Sequence, residues 1–296
     1  MKRAFALLAC LAFFALAPAR AEPAHGAIAA HPALWTVHGG TATVYLLGAL
    51  HLLPPDVTWR TPRIEAAMAA SGVFVFEAPT DKAGQAEASA FVAAHGLLPP
   101  GEALPRLLPK SALADYAFAI EKAGVPAQAL DDKQPWLASL ILQVGMMKQE
   151  HYDPGSGIDR QVFAIATARG CPVRYFETVG QQLSLIAPKD ERLAIGEFVA
   201  DLRQLRRQPD EIGALTDAWS HGDVRTIDRL MNGELAKEPG VKKALLDDRN
   251  AAWVARLRAM LDENHTFFVT VGAAHLAGPS GVPALLRKAG YSVDGP

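Results

Sequence analysis

Two eight-residue stretches near opposite ends of the chain repeat one pattern. Gly48-Ala49-Leu50-His51-Leu52-Leu53-Pro54-Pro55 and Gly272-Ala273-Ala274-His275-Leu276-Ala277-Gly278-Pro279 share Gly, Ala, His, Leu and Pro at the same five offsets. Each follows an apolar, strand-like run, 42–47 in the first case and 266–271 in the second. A glycine at a strand end lets the backbone turn sharply, and the side chain three residues on is then presented at the rim of the sheet. In α/β sheets that rim is where ligands bind. A lone histidine at a strand end is most often a packed or hydrogen-bonded residue, but a repeated motif points to a pair. Brought side by side, His51 and His275 put two imidazoles into one cleft.

Two imidazoles suit a divalent transition metal. A carboxylate at a third strand end, Glu77 after Val73-Phe74-Val75-Phe76, would complete three protein ligands and leave a position open for water. A metal held in this way lowers the pKa of its bound water toward neutrality and makes hydroxide available for attack on an amide or ester carbonyl. Glu77 would be ligand or general base. The candidate metal set is therefore His51, Glu77 and His275. The other histidines, His25, His31, His38, His95, His151, His221 and His265, lack the motif and are read as leader, surface or packing residues.

The elements that must position these residues can be read from periodicity and punctuation. Strand-like runs at 35–38 and 42–47 flank Gly39-Gly40, a turn pair that tolerates positive φ, so a β-hairpin leads into Gly48. Thr61-Pro62 reads as N-cap and first helical residue before a helix to Ala70, and Gly72 separates that helix from the strand ending at Phe76. Helical patterns follow at about 82–94, 110–123, 135–150, 157–169, 190–206, 209–220, 223–232 and 240–262, with one short strand at 173–176. A strand at 266–271, a helix at 283–289 and a last strand at 291–293 close the chain. This order predicts an α/β fold: a mixed β-sheet carrying Gly-x-x-His motifs at strand ends from both ends of the chain, with a large helical insertion at about 80–260.

Ahead of this domain, Lys2 and Arg3 precede an uncharged run from Ala4 to Pro18 that ends in Ala19-Arg20-Ala21, the pattern of a cleaved export signal. The run is shorter than the roughly 20 apolar residues that span a bilayer. The expected organisation is a signal peptide at 1–21, a flexible leader at 22–33 and a single domain at 34–296, periplasmic or secreted, with no stable membrane span after cleavage. The remaining 275 residues carry 26 basic and 31 acidic side chains, a net charge of −5, which gives no electrostatic footprint for nucleic acid. Cys171 would be the only cysteine left, so no intramolecular disulfide is expected. The residues of a serine-hydrolase Gly-x-Ser-x-Gly, a zincin His-Glu-x-x-His, a phosphate-cradling Gly-Lys-Ser/Thr and a dinucleotide-binding Gly-x-Gly-x-x-Gly are all missing. The partner expected from the cleft is a peptide or small-molecule substrate.

Taken together, several motifs make the chain resemble the TraB/GumN family, related to the Tiki metalloproteases that clip amino-terminal peptide from a secreted signalling protein. They are the strand-Gly-x-x-His at 48–51, Val-Phe-Glu at 75–77, Gly157-Ile158-Asp159 opening a helix, Phe176-Glu177-Thr178 followed by Gln181, Asp248-Arg249-Asn250, and Val271-Gly272-Ala273-Ala274-His275-Leu276-x-Gly278. The resemblance implies a functional set of two histidines, one glutamate and one arginine, which fall on His51, Glu77, His275 and Arg249. It also implies metal dependence of the manganese or cobalt type and a peptidase-like activity. Arg249, otherwise read as an exposed ion pair, becomes a candidate for stabilising an oxyanion. Asp159 near a helix start is read as favourable to the helix dipole, and Glu177 as a partner of loop amides. Two other readings stay open: a non-catalytic haem- or metal-binding protein, and a metal-free esterase that uses a histidine as general base on water, as in the erythromycin-esterase relatives.

Overall fold

The computed structural model describes residues 28–188, 190–207 and 211–296. The signal sequence and residues 22–27 of the expected leader lie outside the described residues. A six-stranded mixed sheet is the frame of the molecule. Its strands are β2 (Leu34–His38), β3 (Thr43–Ala49), β5 (Val73–Phe76), β6 (Val173–Tyr175), β7 (Thr266–Gly272) and β8 (Ser292–Asp294), in the spatial order β6-β5-β7-β3-β2-β8. The β6-β5-β7-β3 part is parallel, and β2 and then β8 add antiparallel neighbours. Two residues at each of Ile28–Ala29 (β1) and Val57–Thr58 (β4) form a separate parallel pair. The reading of 22–33 as a flexible leader is thereby corrected at its C-terminal half. The amide of His31 donates to Ser220 O at 2.6 Å, and Ala30 is buried.

The hairpin β2–β3 pairs Leu34 with Leu47 through to His38 with Thr43. Of its two glycines, Gly39 is held by close approach rather than by positive φ, and Gly40 has open space around it. A Cβ on Gly39 would meet Leu261 O at 2.4 Å, and neither Gly39 nor Gly40 has positive φ. Parallel strands buried on both faces read as continuous apolar runs, which accounts for Val73-Phe74-Val75-Phe76 and 267–271.

The longer helices, in chain order, are α1 (Pro62–Ala70), α2 (Lys82–His95), α3 (Leu113–Ala123), α4 (Pro135–Gln149), α5 (Ile158–Ala168), α6 (Val179–Ile186), α7 (Glu191–Arg207), α8 (Glu211–Ser220), α9 (Asp248–Leu261) and α10 (Val282–Lys288), and a single helical turn, Ala273–Leu276, carries His275. One face of the sheet, with Leu47, Phe74, Phe76 and Phe268, packs on the α1, α4, α5 and α6 side. The other, with Leu46, Val75, Phe267 and Val269, packs against Trp253, Leu257 and Leu261 of α9 and Leu286 of α10. A third core, including Leu104, Tyr116, Leu142, Phe198 and Leu202, lies within the helical region itself. That region does not leave the sheet once and return once. The strand β6 within it joins the sheet edge, and α5 packs on β5 and β7.

Two of the expected helices are interrupted. Within 223–232 a single α turn (Val224–Ile227) passes into a π-helical segment (Asp228–Asn232), and within 240–262 a π-helical segment (Lys243–Asp247) precedes α9. A π turn carries one extra residue and resets the face that the following helix presents. Hydrophobic periodicity is too coarse to register that insertion.

Candidate active site

Adjacent parallel strands bring the two Gly-x-x-His motifs together. In the β3–β7 register Gly48 opposes Val271 and Ala49 opposes Gly272. Both glycines sit in tight quarters: a Cβ on Gly48 would lie 3.0 Å from Ala273 Cα, and one on Gly272 would lie 3.2 Å from Glu77 Oε1. On the other side of β7, Phe76 opposes Thr270, so Glu77 follows at the same rim and its Oε1 accepts from the Gly272 amide at 2.6 Å.

Behind Glu77 lies a second carboxylate. The β5–β6 pairing continues past its strand ends, with the Glu177 amide donating to Glu77 O at 2.7 Å. Two glutamates at one level need a cation between them, and Arg249 supplies it. Its Nε donates to both oxygens of Glu177 at 2.8 and 3.1 Å, and its Nη2 donates to Glu77 Oε2 at 2.7 Å and Glu177 Oε2 at 2.9 Å. Its Nη1 donates to Leu245 O at 3.2 Å and to His275 Nε2 at 2.9 Å. Leu245 sits in the π-helical segment before α9, where its carbonyl is turned toward the guanidinium. Every nitrogen of the guanidinium is thus engaged, and Arg249 is buried. The exposed ion pair expected by default is not what forms. Arg249, Asn250 and Trp253 share the inner face of α9, and Trp253 Nε1 donates to Glu177 Oε1 at 2.9 Å. Glu177 therefore serves the guanidinium and the indole rather than loop amides.

His275 is fully buried, with its ring 4.3 Å from that of Trp253. Its Nδ1 lies 2.6 Å from Asn250 Oδ1, and the Asn250 amide nitrogen donates to Ser280 O at 2.8 Å. The asparagine therefore offers its carbonyl, Nδ1 carries the proton, and Nε2 is the acceptor that takes the Arg249 N–H. Burial and then the neighbouring Arg249 cation push the imidazole down to about 3 against the opposing pull of Glu77, so it is neutral at ordinary pH. For Glu77, burial favours the neutral acid. The charge of Arg249, followed by the imidazoles and the Gly272 amide, outweighs it and holds the carboxyl at about 2.

His51 stands apart from this frame. Its Nδ1 lies 3.2 Å from Asp159 Oδ1, with both side chains buried. The contact depends on Gly157, where a Cβ would meet His51 O at 2.2 Å. The glycine lets the start of α5 close over the first motif, with Ile158 N donating to Leu50 O at 3.0 Å. Asp159 therefore faces an imidazole besides lying in the first turn of α5. His51 borders two small cavities. One, of about 20 Å³, has the polar groups of Glu77, Asp159, Gln182 and Thr270 on its walls beside apolar Phe76, Ala78 and Val271; neither the Thr270 hydroxyl nor either Asp159 oxygen is hydrogen-bonded, the approach of Asp159 to His51 being a charge contact rather than an aligned hydrogen bond. The other, of about 30 Å³, is apolar and reaches His275.

The four expected residues thus lie at one rim, with Glu77, Arg249 and His275 in direct contact and His51 across the first cavity. His275 Nε2 already accepts from Arg249, Nδ1 is held by Asn250, and both Glu77 oxygens accept hydrogen bonds, Oε2 from Gln182 at 2.8 Å as well as from Arg249. Among the described residues no group of three His, Cys, Asp or Glu side chains is disposed to hold a metal ion. The guanidinium takes the cation's place between Glu77 and His275, and as arranged the residues do not fit a metal.

Sequence comparison adds the family. The family model described as TraB/PrgY/gumN matches residues 33–295. The chain belongs to the TraB/PrgY/gumN family. Among curated proteins, none matches the chain in sequence. Gln182 and Trp253 of this TraB/PrgY/gumN site had no place in the sequence reading, and Asn250 entered it only as part of the Asp248-Arg249-Asn250 motif, with no role of its own. Trp253 could have been found four residues on from Arg249, on the same helical face. Gln182 could have been found from the capping box of Thr178 and Gln181, which fixes the start of α6 and so turns the next residue inward.

Proposed function

We propose that this TraB/PrgY/gumN chain is an exported hydrolase of peptide or amide bonds, in which His51 activates the attacking water. The observation that carries the reading is the contact of His51 Nδ1 with the buried Asp159 carboxylate at 3.2 Å, beside a cavity that also holds Glu77. A carboxylate this close to an imidazole stabilises its protonated form, as a general base requires, and a small turn of either side chain would align the pair as a hydrogen bond. His51 takes a proton from water as the water oxygen bonds to the carbonyl carbon. The same proton passes to the leaving nitrogen as the C–N bond breaks. The Arg249 network keeps Glu77 ionised and His275 neutral, and it fixes both against the rim. All its donors being engaged, Arg249 acts here as a positioning residue rather than as an oxyanion donor. Export is supported by the basic start, apolar run and Ala19-Arg20-Ala21.

A metal-dependent form of the same hydrolase, with a manganese-, cobalt- or zinc-type ion on His51, Glu77 and His275, is a second reading. It is favoured by the pinning of His275 Nδ1 by Asn250, which leaves Nε2 as a donor in the manner of a metal-bound imidazole. It requires Arg249 to swing off Nε2.

Cleavage of a peptide library by chelator-treated protein separates the two. Activity that survives chelation and disappears in His51→Ala supports the general-base reading. Activity that returns only with added manganese, cobalt or zinc supports the second, and no cleavage under either condition overturns both.

A further inference from the structure

The apolar cavity beside His51 is built from both halves of the fold. Its floor is the two motifs, with Leu50, Leu52 and Ala273 between His51 and His275. Its walls come from the helical region, with Met147 of α4, Leu215 of α8 and Met231 of the first π-helical segment. That wall is fastened to the second motif, because Asn232 Nδ2 donates to Ala274 O and Ala277 O at 3.2 Å each. No carboxylate, ammonium or guanidinium is among the described lining side chains. The Thr216 hydroxyl on the wall is already shared with Tyr152 at 3.1 Å. A polar or charged group entering this space would lose its water and find little in exchange. The space, about 30 Å³ for the centre of a water-sized sphere, suits a small aliphatic group before the walls must give. The walls that can give are the two methionines, whose unbranched side chains repack readily.

We infer that this cavity is the substrate-selecting pocket of the site. It takes a small aliphatic side chain, alanine- to valine-sized, next to the bond under attack, and it rejects charged side chains. The inference rests on the hydrolase reading above and names the substrate class of that site. The two cavities then divide the work: water on the polar side of His51, the substrate's apolar group on the other.

The test uses the full chain and a series of capped dipeptide amides that differ only in the selected residue: Ala, Val, Leu, Phe, Asp and Lys. Wild-type kcat/KM should be at least about 10²-fold higher for Ala and Val than for Asp and Lys. Met231→Ala should move the optimum toward Leu and Phe by about tenfold or more relative to the Ala substrate. Cleavage of the charged members as fast as the Ala member, or an unmoved optimum in Met231→Ala, overturns the pocket and leaves the hydrolase reading standing.

A binding measurement keeps the pocket testable if none of the amides is cleaved. With ¹³C-methyl-methionine labelling, the Met147 and Met231 signals, assigned by Met→Leu substitution, should shift with the Ala or Val amide and not with the Asp or Lys amide. The absence of a shift with any amide overturns the pocket on its own terms.

Discussion

Removing the guanidinium of Arg249 should leave two buried carboxylates facing each other, and the size of the effect can be worked from Glu77. Its carboxyl falls from 4.5 to about 2 even though burial acts in the opposite sense. That fall corresponds to about 3 kcal/mol in favour of the ionised form in the folded state. Loss of one partner from a buried ion pair typically costs roughly 3–5 kcal/mol, which agrees with this figure. Arg249→Met should therefore lower unfolding stability at neutral pH by about 3–5 kcal/mol, about 6–20 °C in Tm for a chain of this size. Arg249→Lys should recover only part, because one ammonium cannot reach Glu77, Glu177, Leu245 O and His275 together. The assay is denaturant unfolding of wild type, both variants and the double variant Arg249→Met/Glu77→Gln. Since a glutamine needs no cation, the double variant should be more stable than Arg249→Met. A single variant within about 1 kcal/mol of wild type, or additive losses in the double variant, would refute the reasoning that Arg249 neutralises the carboxylate pair.

Other outcomes follow from the same contacts. His275 is lowered from 6.5 to about 3, so the folded state takes up its proton only well below the unfolded chain, and the stability this represents is present above pH 6.5 and lost as pH falls toward 3. Denaturant titrations should therefore show wild-type stability falling by up to about 1.4 kcal/mol per pH unit more steeply than His275→Gln between pH 6 and 4.5, and parallel curves would contradict it. Glu77 adds a lower window, its contribution being lost from about pH 4.5 toward 2, which Glu77→Gln should flatten. Asp159→Asn should lower peptide turnover by roughly 10²–10⁴-fold with little change in KM, and an unchanged rate would remove Asp159 from the reaction. Gly157→Ala should give a similar loss in a folded protein, because its methyl collides with His51 O, and normal turnover would show that the close approach is dispensable. Edman sequencing of exported protein should begin at Glu22, and an intact Met1 in a membrane fraction would sink the export proposal.

How much of this was legible in the sequence differs by residue. The β2–β3 hairpin, the strand ending at Phe76 and the strand before Gly272 carry strong local signals, because buried strands must be apolar and the Gly39-Gly40 pair breaks the first run in two. The meeting of the two Gly-x-x-His motifs was legible because the repeat itself implies equivalent strand ends. What could not be read is pairing across the fold. Nothing local marks Glu177 as the neighbour of Glu77, since that depends on β6 joining β5 from the far end of the helical region. The π-helical segment at Lys243–Asp247 likewise turns Arg249 inward by one residue's worth of rotation, below what periodicity can register. The reading of His51, Glu77 and His275 as a metal set followed from donor types alone. The guanidinium that now occupies the acceptor nitrogen of His275 is visible only in three dimensions.

The central claim, that His51 activates water at the Asp159 side of the site, is tested most directly by ¹⁸O incorporation. Wild type and His51→Ala, both stripped with chelator, are incubated in H₂¹⁸O with an amide carrying a small aliphatic side chain, and the acid product is weighed by mass spectrometry. The account predicts one ¹⁸O atom in the new carboxylate from wild type and no product above background from His51→Ala. Equal product from both proteins, or none from wild type until a transition metal is restored, would contradict it.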